Sequence, residues 1–417
     1  MTVLFLSSYF YPESAASSYI GDNIREELAK NGIDVVLYVP EPTRGVPDAV
    51  RQEYKHRRYE ELYGGRLRVF RFRMFKEGRN PVLRAFRYFI CCIKQLNRSL
   101  FSRSSRNCSV VFSSSTPPIQ GTVAALVSSI RRMPFVYDLQ DIFPDSMAGT
   151  GLAKRDSILW KIGRKIEDYT YRHANRIIVI SEDFKKNIMA KGVPEEKIVV
   201  IYNWVDQNAV VDIPRAQNKL FDVYGLDRDK FYLCYSGNIG LTQNMDMLLE
   251  VMGELRGECP DIHLILVGDG AYRQQVEAVV SRDGLTNVHL IPFQPYEDIS
   301  YVFSLGDVGL VISKPGVGAN SVPSKTWSIM SASRPVLASF DENELKDIIS
   351  DNKCGIFTKA GDKNAFKDSI IALYNDKSLC LDFGKNGRKF VMGHLTREVG
   401  TQRYVDVIKE FDRNEQD

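Results

Sequence analysis

The residues best suited to chemistry lie in one stretch, Lys314 to Ser339, which reads KPGVGANSVPSKTWSIMSASRPVLAS. An apolar strand, Val308 to Ile312, runs out just before it. A glycine-rich loop follows, then Val-Pro-Ser-Lys, a helical segment from Thr326 to Ser333, and a second apolar strand from Pro335 to Ser339. A loop that leads from a strand into a helix presents free N–H groups and the positive end of the helix dipole to an anion. Lys325 adds a cation in the first helical turn, where the dipole opposes it unless an anion sits on it. A nucleotide diphosphate is the anion this pattern suits. An ordinary βα loop with a solvated lysine is the plainer alternative.

Two further glycine turns stand at strand ends. Gly237-Asn238-Ile239-Gly240 follows the strand Phe231 to Ser236, and Gly268-Asp269-Gly270 follows His263 to Val267. Carboxylates stand in a comparable place in the first half. The loop Gln140 to Asp145 leaves the strand Pro134 to Leu139, and its Asp141 could orient or deprotonate a substrate hydroxyl. Helix capping by Asp141 or Asp145 explains the same residues equally well. Near the N-terminus, the loop Ser8 to Ser18 carries Glu13 and then small residues that would let a substrate approach the backbone. A plain turn is the alternative there.

Strands and helices must hold these loops in place, and they alternate along the whole chain. Val3 to Ser7, the helix Tyr19 to Asn31 and Asp34 to Val39 form a βαβ unit that opens a doubly wound α/β domain. The pattern restarts at Phe231. The length of 417 residues suits two domains. We expect an N-terminal Rossmann-like domain over 1–206, a linker over 207–218, a second domain over 219–388, and a C-terminal helical segment over 389–417. The seven cysteines lack metal-ligand spacing, and Cys91-Cys92 are adjacent. With no recognisable signal peptide, the expected setting is a reducing cytoplasm. No run reads as a transmembrane helix.

The net charge of +3 conceals a basic segment. Between Arg51 and Arg106 there are 16 Lys/Arg against 4 Asp/Glu. Such an excess points to an anionic partner, whether membrane, nucleic acid or a phosphorylated substrate. Within it, a helix is expected from Asn80-Pro81 to about Arg103. Val82, Phe86, Phe89, Ile93, Leu96 and Leu100 fall near one line of its helical wheel, with Arg84, Arg87, Lys94 and Arg98 away from it. One reading is an interfacial helix on anionic lipid, with Phe86, Arg87, Phe89, Ile90, Ile93 and Lys94 as the contact residues. The other is a surface helix whose apolar stripe packs on the core.

Several motifs together resemble the family four glycosyltransferases, retaining enzymes of the GT-B fold. They are SEDFKK at Ser181 to Lys186, GVPEEKIVVIYNWVD at Gly192 to Asp206, YSGNIGLTQNMDML at Tyr235 to Leu248, LVGDG at Leu266 to Gly270, and VPSK with RPVLAS downstream. Within the family, the chain looks like the bacterial, WbuB-like branch of O-antigen and capsule amino-fucosyltransferases. The resemblance implies two Rossmann-like, doubly wound α/β domains facing a central cleft. The second would bind the nucleotide-sugar donor and the first the acceptor, with the last helix crossing back. It implies catalysis without a metal or other cofactor, and no Asp-X-Asp pair occurs in a suitable loop.

Carried over position by position, the resemblance puts Gly237, Asn238, Gly240, Gln243, Gly268, Asp269, Phe293, Asn320, Ser321, Ser324, Lys325 and Ser328 at the donor. It puts Ser17, Ser18 and Gln140 at the acceptor, with Lys325, Asp141 and Glu13 nearest the chemistry. Departures are visible. Asn238 and Gln243 stand where many relatives have Arg and Lys. Asn320 and Ser328 replace a Glu-x7-Glu pair, Gln140 replaces a histidine, and Ala15-Ala16-Ser17 replaces Gly-Gly. With those charges missing, the N–H groups of the Gly237–Gly240 turn and the Lys325 ammonium would stabilise the diphosphate.

The implied reaction moves a sugar, of the N-acetylated amino or deoxyamino class, from a UDP donor to a polyprenyl-diphosphate-linked saccharide. The setting is the cytoplasmic face of the inner membrane. A GDP donor, a UDP-N-acetylglucosamine epimerase on the same architecture, and a non-catalytic glycan- or membrane-binding scaffold are the alternatives. A nucleic-acid partner is not expected, because the arginines alternate with a lipid-like apolar face.

Overall fold

The computed structural model describes residues 1–13, 18–78, 80–146, 157–318 and 322–412; of residues 18 and 81 it describes the backbone only. Two compact units result. The first comprises Met1–Tyr202 and the residues from Gly400 onward, and the second Asn203–Val399.

The first unit holds an eight-stranded sheet. Its strands are β1 (Thr2–Leu6), β2 (Asp34–Pro40), β3 (Tyr59–Leu62), β4 (Leu67–Phe72), β5 (Val110–Ser114), β6 (Phe135–Leu139), β7 (Arg176–Val179) and β8 (Ile198–Val200). Their spatial order is β3-β4-β2-β1-β5-β6-β7-β8. All neighbours are parallel except β3 and β4, which pair antiparallel from Tyr59 opposite Phe70 to Leu62 opposite Leu67. The second unit holds β9 (Phe231–Ser236), β10 (Ile262–Val267), β11 (Val288–Ile291), β12 (Val308–Ile312), β13 (Val336–Phe340) and β14 (Gly355–Lys359), ordered β11-β10-β9-β12-β13-β14. Both are doubly wound. Their strand order reverses between β1 and β5 and between β9 and β12, where such sheets bind ligands at the carboxyl ends of the strands.

The strands read as continuous apolar runs because helices cover both faces. Every residue of β6, β12 and β13 is buried. A polar residue inside such a run is therefore an exception to be explained.

Residues 207–218, where a linker was expected, are pinned to the second unit. The Val211 N–H donates to Ser300 Oγ and the Ile213 N–H to Ser304 Oγ, each at 3.0 Å, while Ser331 Oγ donates to the Val210 carbonyl at 2.6 Å. The expected C-terminal helical segment is broken. One helix ends at His394, and another, Arg397–Lys409, returns the chain to the first unit at Gly400.

Candidate functional site

In the second unit, the exit loops of β9 and β12 approach Lys325, the first residue of the helix Lys325–Ser331, and the exit loop of β10 packs behind that of β9. Its Nζ lies 3.6 Å from the centroid of the Tyr235 ring at the end of β9. The residue is only partly buried as a whole, but its ammonium is packed away. Burial lowers its pKa to about 7, and no carboxylate among the described residues offsets this. A cation over an aromatic face is worth a kcal/mol or so, less than its lost hydration. An incoming anion would supply the missing compensation.

Gly237 permits that approach. Its φ is +135°, and a Cβ there would come within 3.0 Å of Lys325 Nζ. Gly268, with φ +139°, is tighter still, since a Cβ would sit 2.0 Å from the Gly237 carbonyl oxygen. The two turns are thus packed backbone to backbone, which explains glycine at both.

The N–H groups expected to hold phosphate are mostly engaged. Gly237 donates to the Val267 carbonyl at 3.0 Å, and Ile239 donates to the Asp269 carbonyl at 2.9 Å. The Gly240 N–H is taken by Gln243 Oε1 at 3.0 Å. The last partner is a side chain, so a ligand could displace it; the other two belong to the backbone frame. Asn238 is exposed and leans over Gly240. Asp269 turns its carboxylate onto its neighbour's N–H, Gly270, at 2.8 Å. Phe293 is 76% exposed beyond β11. Ser324 is exposed at the helix start and Ser328 is half-buried. Asn320 and Ser321 lie outside the described residues.

A cavity of about 220 Å³ adjoins Lys325, lined by Thr242, Gln243, Ser313, Val317, Gly318 and Phe340 among others. Ser313 closes β12 with a buried hydroxyl that has no partner among the described residues, and Thr326 and Ser339 share that condition. The Gly316 and Gly318 N–H groups both donate to the Asp341 carboxylate, at 2.9 and 2.7 Å. Asp341 therefore fixes the glycine-rich loop from behind. Sequence reasoning had passed over Ser313, Thr242 and Asp341.

In the first unit, a cavity of about 260 Å³ opens at the switch between β1 and β5. Leu6, Ser7, Tyr9, Arg25, Arg44, Ser114, Thr116, Asp138 and Gln140 are among its walls. Gln140, an expected acceptor residue, is present. Asp141 is not. Its N–H donates to Ser115 Oγ at 3.1 Å, and its carboxylate takes hydrogen bonds from Ser146 and the Ile142 N–H. Its carboxylate is thus engaged within its own loop, in neither the substrate-facing place nor the helix-capping place expected for it.

Glu13 is not among the residues that line this cavity. It is buried, and its Oε1 accepts from the Thr43 N–H at 2.6 Å and the Arg44 N–H at 2.8 Å. It anchors the loop that carries Arg44 to the cavity wall. Burial raises its pKa, and those two N–H bonds oppose the shift. Ser17 and the Ser18 side chain lie outside the described residues.

The carboxylate that does face this cavity is Asp138, inside β6, which sequence reasoning missed. A charged residue within the apolar run Phe135–Leu139 was the available signal. It accepts from Gln140 Nε2 at 2.8 Å and from the Tyr404 hydroxyl at 2.9 Å. Burial raises it to about 6, and both bonds work against that shift.

The basic helix spans Pro81–Phe101, capped by Asn80, whose side chain accepts from the Val82 N–H at 2.9 Å. Its buried face mixes Cys91 and Cys92 with the polar Arg87, Gln95 and Ser99, and much of its apolar stripe faces outward. Val82, Leu83, Phe86, Phe89 and Ile93 are all exposed, from 47% at Ile93 to 75% at Val82. Arg87, expected at the membrane, is instead fully buried. It donates to Thr43 Oγ1 at 2.5 Å, pairs with Glu77 at 3.5 Å, and stacks over Tyr9. Gln95 points inward as well, donating to the carbonyls of Ser7 and Tyr38. Ile90 is half-buried against Phe72, Met74 and Cys91. Lys94 donates to the Arg73 carbonyl at 2.7 Å. Beside the exposed stripe, a predominantly basic cavity of about 500 Å³ is lined by Arg51, Lys55, His56, Arg73 and Lys94, with Glu41 and the apolar Met74, Phe75 and Ile90.

Comparison with known proteins agrees with this architecture. Residues 216–390 match the family model for glycosyl transferases group 1, and residues 22–209 match glycosyltransferase family 4. The chain is 24% identical over 337 residues to the probable glycosyltransferase WbjE of Pseudomonas aeruginosa, covering 81% of this chain and 78% of that one. It is 27% identical to the putative colanic acid biosynthesis glycosyl transferase WcaI of Escherichia coli, over 49% of this chain and 51% of that one. The fold superimposes on HepE of Anabaena, solved in complex with UDP, with a TM-score of 0.72 at 17% identity, covering 98% of this chain and 100% of that one. The chain belongs to the GT-B glycosyltransferases, with a family 4 first half and a group 1 second half.

Proposed function

We propose that this glycosyltransferase moves an N-acetylated amino or deoxyamino sugar from a UDP-sugar to a polyprenyl-diphosphate-linked saccharide, with retention of configuration. The observation that carries this is Lys325: a buried ammonium with no carboxylate beside it among the described residues, at the topological switch point of the second unit. A UDP moiety fits the likeness to a UDP-bound neighbour. A lipid-linked acceptor of the O-antigen or capsule kind fits relatives named for colanic acid and capsule assembly, and within them we place the chain in the WbuB-like branch.

In this reading the acceptor oxygen bonds to the anomeric carbon as the bond from that carbon to the diphosphate breaks. The acceptor proton passes to the departing diphosphate oxygen. Lys325 stabilises the charge that develops there, and the mechanism takes no metal or other cofactor. The exposed apolar stripe and the basic cavity beside it would seat the first unit on an anionic membrane surface from the cytoplasmic side. Among the described residues no helix is long and apolar enough to cross a membrane.

A donor-hydrolysis screen over UDP- and GDP-sugars tests the reading. Release of UDP from an N-acetylated UDP-sugar is the expected result. Turnover of GDP-sugars alone would replace the donor, and turnover of none would return the protein to the scaffold class.

A further inference from the structure

Asp138 lines the cavity at the switch point of the first sheet, and its surroundings leave it a free edge. Both of its hydrogen bonds, from Gln140 Nε2 and the Tyr404 hydroxyl, arrive on Oδ1. Oδ2 has no partner among the described residues, although the carboxylate lines the cavity. The bonding is also unusual in origin. Gln140 lies two residues away, but Tyr404 comes from the returning helix Arg397–Lys409, 266 residues further on. That tyrosine is fully buried, with its ring tilted against Phe112 of β5 at 6.2 Å.

A carboxylate inside a buried parallel strand costs stability unless it is well bonded. Two donors on a single oxygen restrain its rotation and leave the other oxygen directed by default. Structural need alone would be met by an apolar residue here, as at the other four positions of β6.

We infer that Asp138 is an acceptor-binding residue that takes a hydrogen bond from an acceptor hydroxyl through Oδ2, with Tyr404 and Gln140 as the residues that position it. The inference rests on the glycosyltransferase reading above and adds the group that selects the acceptor. The ligand class is a polyol, namely a sugar ring presenting a hydroxyl donor to the floor of the cavity. No proton is transferred to Asp138. It orients the acceptor, while the departing diphosphate takes the proton of the reacting hydroxyl. The returning helix thereby becomes part of the acceptor site.

Ionisation supports the geometry. Asp138 titrates near 6. Above that pH it accepts a hydrogen bond; once protonated it loses most of that capacity. Tyr404 helps to hold it ionised, so removing the phenol hydroxyl should raise the pH at which acceptor binding fails.

The test uses the full chain, native-host membranes as the acceptor source, and the nucleotide sugar selected by the hydrolysis screen. Lipid-extractable label is measured against membrane concentration and pH. Asp138→Asn should raise the apparent acceptor KM at least tenfold, with donor hydrolysis in the absence of membranes within twofold of wild type. Tyr404→Phe should raise that KM about threefold and move the acid limb of kcat/KM to higher pH. A purely structural tyrosine would leave the limb in place. UDP binding and thermal melting of both variants report whether they fold. If Asp138→Asn leaves KM unchanged while Asp141→Asn raises it, the inference is overturned. It is also overturned if Asp138→Asn depresses donor hydrolysis and transfer equally, or if only a misfolded Asp138→Asn is obtained and Tyr404→Phe leaves the acid limb unmoved. Absence of donor hydrolysis in the wild type would refute the underlying function instead.

Discussion

Lys325 Nζ packs 3.6 Å from the centre of the Tyr235 ring, and nothing anionic among the described residues neutralises it. Such a group is poised for a ligand rather than for stability. Replacing it with methionine should keep the packing and remove the buried charge. We expect Lys325→Met to melt no lower than wild type without nucleotide, and to lose the rise in Tm that UDP gives the wild type. Lys325→Ala should cut turnover more than about tenfold, or about 1.4 kcal/mol in the barrier. Paired melts and initial rates check both.

The same lysine sets a pH dependence. Its folded pKa of about 7 lies below the ordinary 10.5. Between those values the unfolded chain binds more protons, so the nucleotide-free fold should gain stability as pH rises through that window. A bound diphosphate favours the ammonium. UDP binding at pH 8–9 should therefore take up close to one proton, and affinity should weaken as pH climbs. Calorimetry in two buffers of different ionisation enthalpy measures the uptake directly.

Asp341 clamps two N–H groups of the glycine-rich loop, Gly316 and Gly318. Asp341→Ala frees both. Hydrogen bonds to a charged group are worth about 1.5–3 kcal/mol each, although water will compensate part of this on a half-exposed loop. The expected outcome is a rise in donor KM with a smaller change in kcat, and faster amide exchange at both glycines.

The basic helix separates two effects that composition alone confounds. Phe86→Ser with Phe89→Ser changes exposed positions, so stability should move by no more than about 0.5 kcal/mol per site. Sedimentation with vesicles of anionic phospholipid should fall sharply. Arg87→Ala breaks a buried ion pair with Glu77 and should destabilise by about 3–5 kcal/mol. Denaturant melts and vesicle sedimentation on the same preparations distinguish the two.

Local backbone demands were legible in the chain. Gly237 and Gly268 announced tight turns, and Lys325 stood out at the start of its helix, because each follows from a few neighbouring residues. The helical wheel placed Arg87 correctly opposite Phe86 and Phe89, but a wheel has no sign. Which face turns inward was decided by Glu77, Thr43 and Tyr9, which no periodicity reveals. Asp138 was hidden in an apolar strand, and its partner Tyr404 is too distant in sequence for any local pattern to connect them. Asp141, better placed to the eye, turned out to be engaged within its own loop. The antiparallel edge strand β3 was also unanticipated, because YEEL carries little apolar signal.

In the function proposed above, Lys325 holds the diphosphate of a UDP-sugar. Calorimetric titration of UDP into wild type and Lys325→Met at pH 7 tests it most directly. The expected result is one UDP site in the wild type, at least tenfold weaker in the variant, with GDP bound poorly by both. Equal UDP affinity in the two proteins, or none in the wild type, would contradict it.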